Sequence, residues 1–139
     1  MPDVRRNDAE RALIAGAYYF QIVFAIGFVL GVLRGFMVAP AIGEFSAVAI
    51  ELPILLAASW FVARRLIERY KVAGQLDERM MMGAFAFALL MLVEAALSIF
   101  GFGRTLAQHI AHYREPAGLL GLAGQVVFGL VPALQLARK

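Results

Sequence analysis

The sequence predicts an all-α membrane protein: a four-transmembrane-helix bundle with both termini in the cytoplasm and a short interfacial helix in the outer loop between helices 3 and 4. Three observations lead there. Of the 139 residues, 62% are apolar and the mean hydropathy is +0.77, well outside the range of soluble domains. Four apolar runs each supply about 20 helical residues, enough to cross a hydrocarbon core of about 30 Å. The basic residues fall at the ends of these runs, as topology signals do. That placement removes nucleic acid as a partner despite the formal charge of +3.

The runs are Ala12–Leu33, Phe45–Ala63, Met80–Gly103 and Ala117–Ala137, within one integral membrane domain covering 1–139. The first follows Arg5, Arg6 and Arg11 and could be taken for a signal peptide. It is longer than the roughly 7–15 residues of a cleavable apolar region, so it is expected to be retained as a span.

Orientation follows from the cations. Arg5, Arg6, Arg11, Arg64, Arg65, Arg69, Lys71, Arg79, Arg138 and Lys139 lie on one side of the four runs, and only Arg34, Arg104 and Arg114 on the other. The positive-inside rule puts the first group in the cytoplasm, and a bacterial inner membrane is the expected location. The segment from Arg64 to Arg79 also contains Leu66, Ile67 and Tyr70. It is expected to continue the second helix into the headgroup layer, against anionic lipid.

Between the third and fourth runs, Leu106, Ile110 and Tyr113 recur at helical spacing among polar residues before Pro116, which predicts a short helix lying in the outer interface. Trp60, Tyr18, Tyr19 and Tyr70 sit toward the cytoplasmic ends of their spans, where aromatic rings anchor at headgroups. Gly27, Gly31 and Gly35 form a small-residue stripe on the first helix, a pattern that lets helix backbones approach closely in lipid. Gly118, Gly121, Gln125, Gly129 and Pro132 form another on the fourth and turn Gln125 inward.

One polar constellation stands out. Glu44 and Glu51 are two turns apart on the second helix, and Glu94 lies on the third. Counting at 1.5 Å per residue puts both Glu51 and Glu94 roughly 10 Å below the outer boundary, with Gln125 about one turn deeper. Arg34 and Arg104 stand just above. The second and third spans, joined by a short loop, are expected to pack together and bring the two carboxylates close. Two such groups could share a proton or hold a cation, or Arg34 could bridge them as a structural ion pair.

Pro53 removes an amide donor and frees the Ala49 carbonyl, which could line such a site. The segment from Arg34 to Pro53, Arg-x5-Pro-x2-Gly-Glu-x6-Glu-x-Pro, concentrates most of these special residues. His109 and His112 are weak metal candidates with Glu44 or Glu115, since no dedicated third ligand is spaced for them.

The absence of cysteine excludes disulfides, thiolate chemistry and Cys-ligated metals. No histidine lies in a span to hold haem, and no P-loop, HExxH, GxSxG or nucleotide-binding glycine pattern occurs. No cofactor is expected. Three functions follow in order: a non-enzymatic accessory or assembly subunit, alone as a homo-oligomer or in a larger membrane complex; a small oligomeric proton- or cation-coupled transporter or channel using Glu51 and Glu94; and a membrane enzyme acting on lipid or quinone.

Overall fold

Four helices long and apolar enough to cross a bilayer make up the protein, and no strand occurs among the described residues. The computed structural model describes residues 2–137, with side chains from 7 to 136. The side chains of Arg5 and Arg6, together with Arg138 and Lys139, lie outside the described residues.

The first span is α1 (Pro2–Leu33), a π-helical stretch Arg34–Val38 and α2 (Ala39–Ile42) in one unbroken rod. It ends well beyond Leu33 because nothing before Gly43 breaks it. Pro40 cannot donate to the residue one turn back, and the widened π stretch accommodates this, with the Ala39 amide bonded to the Arg34 carbonyl. Gly43 alone then reverses the chain, at φ 90° and ψ 159°, a conformation that disfavours any side chain. The second span, α3 (Glu44–Tyr70), runs straight on from it.

Lys71 at φ 52° closes α3, and a short loop leads to α4 (Leu76–Ala96) with its π extension Leu97–Gly101. Next come α5 (Leu106–His112), started by a reciprocal Thr105–Gln108 capping box, and α6 (Pro116–Leu134). Pro116 begins this last span at its first turn, where a missing amide costs nothing.

Helix α1 packs against α3 and α4, and α6 packs against the same two. The second and third spans therefore face each other across the diagonal, which corrects the expectation that loop-joined neighbours pack. The tight contacts form elsewhere. Gly83 of α4 meets Gly129 of α6 so closely that a Cβ on Gly83 would overlap the Gly129 carbonyl. On the first helix the close approach is at Gly16, against the Met82 backbone of α4; within the Gly27, Gly31 and Gly35 stripe only Gly27 touches another span, at Leu55, while Gly31 and Gly35 meet none among the described residues. The first stripe is thus a contact at one position, not three.

The two halves of the bundle differ. At the end bearing the Lys71 loop, Ala12, Ala15, Tyr19, Ala63, Met82 and Ala86 are fully buried in one apolar cluster. Tyr19 belongs to this core and not to a headgroup belt, and the reason is Pro132. That proline leaves the Phe128 carbonyl without its helical donor, and the Tyr19 hydroxyl donates to it at 2.7 Å, the two rings stacking at 4.4 Å. Arg79, a loop cation by sequence, is likewise buried, donating to the carbonyls of Ala73 and Pro132 at 3.2 Å each. Its charge sits at the carbonyl end of α6, where the helix dipole favours a cation. The outward surface carries Val29, Ile50, Ile54, Phe61 and Leu92, each more than half exposed, as suits helices surrounded by lipid.

Candidate functional site

The half of the bundle nearer Gly43 is not filled. A cavity of about 700 Å³ lies between all four spans. Along the first span its wall runs from Val23 to Phe36, roughly 20 Å at 1.5 Å per residue. Arg34, Glu44, Glu51, Glu94, Arg104, His109, His112 and Gln125 all line it. Its deeper wall is apolar, with Phe24, Phe28, Leu52, Leu55, Leu90 and Phe128.

Two separate polar groupings divide the upper wall. In the first, Arg34 donates to Glu51 at 2.6 Å and lies 3.6 Å from Glu44. The Glu51 side chain is 12% exposed and that of Arg34 30%, so the pair is largely withdrawn from solvent. Arg34 occupies the first residue of the π stretch, and π-helical segments recur at functional sites because they re-aim a side chain without breaking the helix.

In the second grouping no guanidinium bonds Glu94 among the described residues. It accepts from the Gln125 amide at 2.5 Å and, at a long 3.4 Å, from the Tyr113 hydroxyl. With that phenol donating to Glu94, its oxygen can accept from His109 Nε2–H, also at 3.4 Å. Burial first and the neighbouring Glu94 second push the Tyr113 phenol up to about 12, so it remains a neutral donor at physiological pH.

Glu51 and Glu94 therefore take different partners. The reason is the diagonal arrangement of α3 and α4: counting residues gives depth, but which side of a helix faces which neighbour is set by packing. Arg104 lies over the Phe102 ring, 5.8 Å from its centroid, and makes no bridge to either carboxylate among the contacts described.

The two histidines also part company. His109 is buried and stacks edge-on against Tyr113, while His112 reaches Glu115 at 3.3 Å. No group of three metal-ligating side chains occurs among the described residues. Helix α5 turns His109 inward and leaves Leu106 and Ile110 about half exposed. Pro53 and Ala49 face outward and neither lines the cavity, which removes the freed carbonyl from the site.

Two contributors are not visible in the sequence pattern. Helical spacing groups Tyr113 with the apolar side of α5, yet its hydroxyl reaches Glu94 on the third span. Ser98 lines the cavity one turn beyond Glu94 on the π stretch after α4, is 5% exposed, and its hydroxyl has no hydrogen-bond partner among the described residues. The carbonyl oxygen of the Gln125 side chain is also buried and unpartnered. Such atoms are uncommon in native interiors and are costly in low dielectric.

No protein-family model, curated protein or solved structure matches this chain.

Proposed function

We propose that the chain is a non-enzymatic, multi-pass protein of a bacterial inner membrane that takes an amphiphilic small molecule into the cavity of its outer half. The observation that carries this reading is the division of that cavity into a polar upper wall and an apolar lower one. Small-molecule sites usually enclose about 300–1,000 Å³ with mostly apolar walls and a few convergent polar groups. Among the described residues the Ser98 hydroxyl has no base in contact and the Ser59 hydroxyl is spent on the Leu55 carbonyl, so no activated nucleophile supports an enzymatic reading.

The orientation rests on the charge bias. The Lys71 loop and both chain ends face the cytoplasm, with Arg64, Arg65, Arg69 and Lys71 against anionic headgroups. The Gly43 end and α5 face outward, and α5 presents Leu106 and Ile110 to the interface. Reporter fusions after Lys71 and Lys139 are expected to read cytoplasm and one near His109 the outer side. A cytoplasmic readout at His109 would reverse the orientation.

Occupancy is tested with a neutral photoreactive amphiphile, a diazirine-bearing long-chain alcohol, on purified protein in lipid nanodiscs. Saturable labelling is expected at cavity positions such as Phe24, Leu52 and Leu90. Labelling confined to outward residues such as Ile50 and Leu92, and not competed by unlabelled alcohol, sinks the reading. A second reading, cation- or proton-coupled transport through the same cavity, is favoured by Glu94, an intramembrane carboxylate whose described hydrogen-bond partners are neutral.

A further inference from the structure

We infer that the guest is an amphiphilic amine, its ammonium group held by Glu94, Gln125 and Ser98 and its apolar body lying among Phe24, Phe28 and Phe128. This deepens the proposed function and rests on the cavity's taking an amphiphile.

Charge is the first ground. Three carboxylates (Glu44, Glu51, Glu94) and two guanidiniums (Arg34, Arg104) line the cavity. With neutral histidines and ionised carboxylates it has one surplus negative charge, although the whole chain is net positive. Of the three carboxylates, Glu94 is the one with no guanidinium among its described partners. Arg34 is engaged by Glu51 and Glu44, and Arg104 lies over the Phe102 ring, whereas Glu94 contacts only a neutral amide and a neutral phenol.

Hydrogen-bonding capacity is the second ground. An ionised Glu94 only accepts, so the Gln125 side chain must present its NH2 to it, and this fixes the amide orientation. The amide oxygen is then left buried with no donor, as is the Ser98 hydroxyl one turn along from Glu94. The Gln125 oxygen needs a donor, and the Ser98 oxygen, which can also donate through its own O–H, is able to accept one. An alkylammonium supplies up to three and accepts none.

Other headgroups fit less well. A carbonyl head, as in an ester or a quinone, could take the Ser98 O–H, but the Gln125 amide and Tyr113 hydroxyl are already committed to Glu94, and such a head would bring no donor for the buried Gln125 oxygen. An anionic head would add to the surplus negative charge. The aromatic and aliphatic side chains of the deeper wall suit an apolar tail behind the ammonium group.

The test uses displacement of the diazirine alcohol by three probes of one chain length: dodecylamine, dodecanol and dodecanoate. Concentrations are expressed as mole fraction in the nanodisc, so that unequal partitioning into lipid cancels. Dodecylamine is expected to displace the label at about tenfold lower mole fraction than dodecanol, as one charge-assisted hydrogen bond would give, and dodecanoate to be the weakest. Glu94→Gln should bring amine and alcohol to parity. Ser98→Ala should reduce the amine preference by a few fold and serves as the second variant should Glu94→Gln not fold. Equal displacement by amine and alcohol, or a preference that both variants leave intact, overturns the inference while the amphiphile reading stands. Label that none of the probes displaces overturns both.

Discussion

Gly83→Ala is expected to lower the melting temperature of the purified protein sharply, whereas Gly121→Ala leaves it unchanged or slightly raised. The two glycines lie on facing spans, and alanine raises intrinsic helix propensity at both by about 1 kcal/mol. They differ in what a methyl group meets. At Gly121 no atom lies within 4 Å, but at Gly83 the methyl would overlap the Gly129 carbonyl, part of the α6 backbone. No rotamer change relieves that clash, so α4 and α6 must separate along their contact. Overpacking typically costs about 1–3 kcal/mol and more where backbone must shift, which exceeds the propensity gain. Thermal unfolding in micelles, followed through Trp60 fluorescence, measures both variants. Equal melting temperatures would mean that α4 and α6 are not held this close.

Arg34→Gln should cost about 3 kcal/mol, toward the low end for breaking a buried pair because Arg34 is still 30% exposed. The substitution leaves Glu51, only 12% exposed, without its guanidinium. Glu51→Gln should cost less, because Arg34 keeps Glu44 at 3.6 Å. The double substitution should cost less than the two singles added together, since the buried charge of Glu51 goes with its partner and only the half-exposed Glu44 is left alone. Glu94→Gln should be nearly silent for stability, because the described hydrogen bonds of Glu94 are with neutral groups and the oxygen of the substituted amide can still accept from Gln125. These four variants in one thermal series separate a structural pair from a ligand-facing carboxylate. An Arg34→Gln protein that melts with the wild type would remove the pair from the stability account.

The existence of four spans was readable because bilayer thickness imposes a length on apolar runs, and Ala12–Leu33 or Met80–Gly103 meets it without competition. Their ends were less readable. The first span continues to Ile42 because Arg34 has carboxylate partners and Pro40 is accommodated by a π stretch, neither of which is a local signal. Counting residues put Glu51, Glu94 and Gln125 at similar depth, and all three line one cavity. Which partner each takes was not readable, since that depends on how helices rotate about their axes and on which pairs adjoin. Tyr19 shows the same limit: a tyrosine near a span end reads as a headgroup anchor until Pro132, far along the chain, is seen to free the carbonyl that binds it.

The single-residue joint at Gly43 bears on how the protein enters its membrane. With one non-helical residue between them, the first two spans have no slack to be threaded separately and must insert as a helical hairpin. In the proposed orientation the tip of that hairpin is carried across the bilayer, and it bears Arg34, Glu44 and Glu51. The side chains that shape the mature cavity wall are thus the polar cargo of translocation. Once Arg34 finds its carboxylates, the tip crosses with at most one net charge instead of three separate ones, which lowers a barrier set by the exposure of each ion to hydrocarbon. The ion pair would then serve biogenesis first and the cavity second.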